Sequence, residues 1–306
     1  MKHNMKITLI LLAMFVVTQL IGLYVVNFYS SPSATLPGGL DAAFNAQPTN
    51  FSWINFAIAF VFSLAVILLL IKFHSKWIIR IWMFLVVITA LMISFGAFFT
   101  FAYSIFLILF LSIALAILKV FRRDIMVHNF TELLIYPGIA VIFVPLFNVY
   151  TIAIVLVLIS IYDIYAVWHS GFMQKMAKYQ IEEVQVFSGF FVPYLSKKQK
   201  QLVDKIKIKY PNIESMKKSK KLKGMKVSIA ILGGGDVVFP IITSGVVMLT
   251  WGLIPALIVT LGATLALCYL FFVGEKKKFY PAMPYITTGI FIGIAIAWIV
   301  KSYLLG

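Results

Sequence analysis

Apolar runs of about 20 residues, parted by short polar breaks, recur along the whole chain, and a helix of that length crosses the hydrocarbon core of a bilayer. Nine runs are read, at 5–28, 53–73, 77–98, 100–120, 131–147, 149–168, 227–248, 252–273 and 281–302. They predict an all-α polytopic membrane protein of nine transmembrane helices, because a spanning helix satisfies its own backbone polar groups. The third and fourth runs are divided only by the weak break Gly96–Ser104, and the fifth and sixth meet at Pro145-Leu146-Phe147-Asn148. The one real division is hydrophilic. Residues 1–168 hold six helices, 169–226 form a lysine-rich loop, and 227–306 hold three more helices.

Composition sharpens this picture. The 306 residues are 62% hydrophobic and 12% charged, with a mean hydropathy of +1.01, more apolar surface than a soluble domain of this size can hide. A net charge of +16 suggests nucleic acid at first, but fourteen lysines and only four acids lie in 169–226. That segment is read as a solvated cytoplasmic loop against anionic lipid, and no nucleic-acid partner is expected. Within it, Val184–Tyr194 is apolar enough to lie on the membrane surface, and Lys205–Tyr210 alternates like a half-buried strand. Most of the other basic residues fall at alternate connections: Lys2 and Lys6, then Lys72, Lys76 and Arg80, then Lys119, Arg122 and Arg123, then Lys276–Lys278. This alternation puts the N-terminus in the cytoplasm and the C-terminus outside. The first apolar run is too long for a signal peptide and is read as a retained span. Cys268 is read as a packing thiol. The expected location is an integral, multi-pass place in a membrane, the cell membrane if the source is prokaryotic.

Asp163 and Asp236 are read as the only acids deep inside the apolar runs. A carboxylate there costs at least ~2.5 kcal/mol, so each marks a candidate functional site. Counted from the cytoplasmic ends of their runs, they lie at depths of about 9 and 15 Å, close enough for neighbouring antiparallel helices to present them to each other. Two adjacent carboxylates share a proton and titrate as a pair. That equipment suits an aspartic protease, and equally an ion channel or proton-coupled transporter. The surroundings favour the protease. Gly233, Gly234 and Gly235 precede Asp236, weakening helix and allowing close backbone approach. Pro240 deprives the Asp236 carbonyl of its usual helical donor, so a loose or kinked helix is expected. Pro281-Ala282-Met283-Pro284 also resists regular helix; it is either a plain helix start or free backbone to which an unwound substrate strand adds.

These residues resemble the presenilin and signal-peptide-peptidase family of aspartyl intramembrane proteases. The resemblance rests on Tyr162-Asp163, on Gly233-Gly234-Gly235-Asp236 as a Gly-x-Gly-Asp run, and on Pro281-Ala282-Met283 as a Pro-Ala-Leu-like run. Their order and their positions in spans six, seven and nine match the family, so the resemblance covers essentially the whole chain. Met283 stands where the family has Leu; its similar bulk preserves the role. A literal Pro255-Ala256-Leu257 lies near the opposite membrane side and is rejected. The resemblance implies a catalytic pair at Asp163 and Asp236, with the third motif shaping the site. The inward N-terminus is similar to the presenilin branch, and the small size to its archaeal homologues, which act without accessory subunits.

The expected function is hydrolysis of peptide bonds within single-span transmembrane or signal-peptide-like substrates, by water activated between the two aspartates. Tyr162 is a candidate for orienting Asp163, with a packing role as plausible. His3, His74, His128 and His169 are scattered, and none pairs at ligand spacing with an intramembrane carboxylate or cysteine, so no metal or cofactor is expected. Glu132 is read as a surface acid opening span five. Prepilin peptidase, which shares the Gly-x-Gly-Asp element, lacks the span-nine motif. The partners are substrate and bilayer, and self-association is left open.

Overall fold

The computed structural model describes residues 5–31, 34–37, 76–99, 104–122, 124–169, 188–194, 228–274 and 280–305, with scattered positions between 54 and 69. Most of the expected second span at 53–73, the Lys205–Tyr210 alternation and most of the 169–226 loop therefore lie outside the described residues. The described helices are α1 (Met5–Tyr29), α2 (Lys76–Phe98), α3 (Ser104–Phe121), α4 (Ile125–Phe143), α5 (Val149–Ile164), α6 (Gly234–Trp251), α7 (Leu253–Val273) and α8 (Met283–Val300). Among them, seven helices are long and apolar enough to cross a membrane, and Ile105–Phe121 is a shorter apolar one.

Capping side chains set the boundaries that hydropathy leaves vague. α4 starts at Ile125, earlier than the expected 131, because the Asp124 carboxylate accepts the amides of Met126 at 2.8 Å and Val127 at 3.3 Å. Its far end tightens into the turn Val144–Leu146. Asn148 then caps α5, its Oδ1 accepting from the Thr151 amide at 2.8 Å and hydroxyl at 2.7 Å.

The 227–248 run is not one helix. Ser228–Gly233 forms strand β2, paired antiparallel with β1 (Gly189–Tyr194) from Gly189 opposite Gly233 to Tyr194 opposite Ser228. The reason is local. Gly233 takes the extended conformation of a helix cap (φ −64°, ψ 146°), so α6 begins only at Gly234, and a short apolar run carries no period that tells strand from helix. The segment expected on the membrane surface, 184–194, contributes β1 to this hairpin.

Lipid is as apolar as the helices, so their association leans on close packing and interhelical hydrogen bonds. A Cβ on Gly262 of α7 would strike the Gly289 carbonyl of α8, and one on Gly289 would strike Gly262. Thr260 donates to Ser244 at 2.9 Å between α7 and α6, and Ser160 to Thr287 at 2.8 Å between α5 and α8. One continuous core runs through Phe15, Tyr136, Phe190, Ile241, Ile286 and Ile290. Phe106, Phe110, Trp82 and Leu265 are exposed on the outer faces, as lipid contact requires.

Candidate active site

Asp163 lies one residue from the end of α5, and Asp236 is the third residue of α6. α5 packs directly against α6. Their relative height follows from contacts carried across the bundle. Ser160 meets Thr287 and Asp163 meets the Met283 amide, so α5 and α8 run antiparallel. Gly262 abuts Gly289 and Val259 abuts Gly293, so α8 and α7 do too, and Ser244 with Thr260 sets the same sense for α7 and α6. In these registers Asp163 is level with Met283, Met283 with Cys268, and Cys268 with Asp236. By these registers both carboxylates fall toward the same end of adjacent helices.

Their environments differ. Asp163 is 3% exposed, and its Oδ2 accepts the Met283 N–H at 3.0 Å, with the Ala282 amide alongside. Ala282 caps α8 and Met283 is its first residue, so Pro281-Ala282-Met283 is a helix start. The first amides of a helix have no intrahelical acceptor. Here one of them points at a carboxylate, where the helix dipole also favours negative charge. Pro281 and Met283 are buried and Ala282 is half-buried.

Asp236 is half-buried in the first turn of α6, a favourable place for an acid. Its Oδ2 lies 3.1 Å from where a Cβ on Gly233 would be, so the carboxylate leans back over the helix cap. A Cβ on Gly234 would come 2.6 Å from Ser188 Oγ and 2.8 Å from Tyr136 Oη; on Gly235 it would meet only the Phe239 ring, at 4.0 Å. The glycines therefore serve a strand-to-helix junction and do not weaken a helix interior, as the sequence suggested. Pro240 lies within α6. Gln19 of α1 donates to the Val237 carbonyl at 3.0 Å, next to the carbonyl whose usual donor Pro240 removes. Tyr162 is half-buried beside Asp163. Cys268 is half-buried.

Glu132 corrects two expectations. It is fully buried, not at a surface, and its Oε1 accepts from the Lys119 ammonium, itself buried although it was counted as a connection residue. His128, four residues earlier on α4, has Nε2 3.6 Å from the same oxygen and 2.7 Å from the Gly189 carbonyl. Tyr136, one turn on, packs edge-on against Phe190. The spacing i, i+1 and i+4 of His128, Asn129 and Glu132 marks one shared helix face in the sequence but not its burial, the first two lying before the expected run at 131–147. Among the described residues no group of three or more metal-ligating side chains is brought together.

The sequence profile described as "Signal-peptide peptidase, presenilin aspartyl protease" matches residues 12–302. A solved structure described as a presenilin family intramembrane aspartate protease in a C222 space group aligns with 96% of this chain and 99% of its own, at 16% identity and a TM-score of 0.59. Another, described likewise in a P2 space group, aligns over 95% and 96%, at 16% identity and a TM-score of 0.53. No curated protein matches.

Proposed function

The chain belongs to the signal-peptide peptidase and presenilin family of aspartyl proteases, and from that premise we propose that it hydrolyses peptide bonds within single-span transmembrane substrates with Asp163 and Asp236 as the catalytic pair. It is an integral multi-pass membrane protein. The observation that supports the reading is the grip of the α8 start on Asp163, on a helix that packs directly against the one carrying Asp236. A water between them loses a proton to the ionised carboxylate while its oxygen attacks the peptide carbon. The protonated carboxyl gives its proton to the carbonyl oxygen; the carboxyl that took the water's proton then passes it to the leaving nitrogen, and the other takes back the hydroxyl proton as the tetrahedral species collapses.

A helix resists such attack, so the substrate must unwind. β2 supports a way of holding it. Among the described residues β2 pairs only with β1, and its other edge leads through exposed Ile231 to Gly233 and on to Asp236. A substrate segment added to that edge as a third strand passes the carboxylates in extended form. Exposed Gly235 leaves room for its backbone.

The test incubates purified protein with a reporter transmembrane peptide and with ion-loaded liposomes. Cleavage by the native protein and none by Asp163→Asn or Asp236→Asn supports the assignment. Ion flux lost in both variants, with no proteolysis in any sample, replaces it with a channel or transporter.

A further inference from the structure

The edge of β1 turned away from β2 is occupied by side chains of α4. Asn129 makes a two-way bond with Phe191: Nδ2 donates to the Phe191 carbonyl at 2.7 Å, and Oδ1 accepts its N–H at 2.9 Å. Two residues earlier along the strand, Gly189 is held the same way. Its N–H donates to Glu132 Oε1 at 3.4 Å, and its carbonyl lies 2.7 Å from His128 Nε2. Alternate residues of a strand face the same side, so these contacts act as the missing neighbour strand. The His128 ring also packs against Phe191, centroids 4.9 Å apart. Lys119 of α3 anchors Glu132 from behind, and both side chains are almost wholly buried.

An apolar α4 face would pack here equally well, but it would remove the acceptor of the buried Gly189 amide and the two Asn129 bonds to the half-buried Phe191 backbone. The consequence travels along the hairpin. β1 fixes β2 residue by residue, and β2 ends at Gly233, the cap of the helix whose third residue is Asp236. On the next turn of α4, the Tyr136 hydroxyl stands 3.4 Å from Ser188 Oγ and closes on Gly234. α4 thus grips the hairpin at both ends of the path to Asp236.

We infer that Asn129 and Glu132, the latter anchored by Lys119, are positioning residues that set where the β1–β2 hairpin presents its open edge relative to Asp236. They touch no reacting atom. Their catalytic consequence rests on the proteolytic reading above. Their mechanical one does not.

The experiment uses the full chain in detergent, as the native protein, Asn129→Leu, Asn129→Asp and Leu91→Ala. Leu91 is a fully buried α2 side chain distant in sequence from the hairpin, so its truncation reports plain destabilisation. Hydrogen exchange is read over 189–194 and 228–236, and the bonds cut in a reporter transmembrane peptide are identified by mass. Asn129→Leu is expected to raise exchange in both segments about tenfold. It is expected to lower kcat about tenfold with KM unchanged, and to spread cleavage to neighbouring bonds. Asn129→Asp keeps the acceptor for the Phe191 N–H but sets an oxygen against the Phe191 carbonyl, so it is expected to raise exchange as Asn129→Leu does, and it carries the test if Asn129→Leu does not fold. Leu91→Ala lowers thermal stability and leaves the cut bond unchanged. Unaltered exchange in both segments overturns the inference, as does unaltered kcat and cut position when exchange has risen. If the native protein cleaves no transmembrane peptide, the proteolytic reading fails, and the exchange data alone decide the positioning role.

Discussion

Replacing each glycine before Asp236 by alanine separates packing from chemistry, because the three meet different surroundings. At Gly234 the new methyl would sit 2.6 Å from Ser188 Oγ and 2.8 Å from Tyr136 Oη, nearer than carbon and oxygen tolerate. Tyr136 is among the largest fully buried side chains, so it cannot swing aside cheaply, and overpacking of this kind costs about 1–3 kcal/mol. At Gly235 nothing lies closer than 4.0 Å, and the backbone is not in the left-handed region. Alanine there removes glycine's excess unfolded-state entropy and gains about 0.4–1 kcal/mol. At Gly233 the methyl would meet only the Asp236 carboxylate, at 3.1 Å, so stability changes little while the carboxylate is displaced. Thermal unfolding in detergent should rank Gly235→Ala at or above the native protein, Gly233→Ala close to it and Gly234→Ala clearly below. Cleavage of a reporter peptide should fall in Gly233→Ala without a matching loss of stability. Equal stability of the Gly234 and Gly235 variants would refute this packing argument, and full activity of Gly233→Ala would refute the role given to the Asp236 orientation.

Other substitutions test neighbouring parts of the account. Lys119→Met strands a buried Glu132 charge and should cost about 3–5 kcal/mol by thermal or chaotrope unfolding; adding Glu132→Gln should recover part of that, since the amide can still accept from Gly189. Gln19→Leu removes one hydrogen bond to Val237 but also a buried Oε1 that has no partner among the described residues, so its unfolding midpoint should correspond to a change within about 1 kcal/mol. Gly289→Ala forces a methyl into the Gly262 backbone and should destabilise by about 1–3 kcal/mol in the same assay, whereas Gly252→Ala should cost through its φ of 96° alone, nothing lying within 4 Å.

Hydropathy made most of the described helices legible, to within a few residues for α1, α2, α7 and α8, because a spanning helix must be apolar for its whole length. It missed the start of α4, although Asp124 before the run was a readable cap. It also ran β2 and α6 together: Ser228–Gly233 is apolar enough for either structure, and its partner strand lies beyond a long polar loop. The third motif reads as a helix start in sequence, but its hydrogen bond to a carboxylate 120 positions earlier has no local signature. Burial of Lys119 and Glu132 was equally hidden, since charges near the ends of apolar runs look like surface markers until the neighbouring helix covers them.

The central claim is that Asp163 and Asp236 act as one unit on one water. It is tested most directly by a cycle of single-turnover cleavage rates for the native protein, Asp163→Asn, Asp236→Asn and the double variant, all in one lipid composition with folding checked by thermal unfolding. Groups that act together are non-additive, so each single change should abolish cleavage as completely as both do. A single variant that still cuts the peptide, or losses that simply multiply in the double variant, would contradict it.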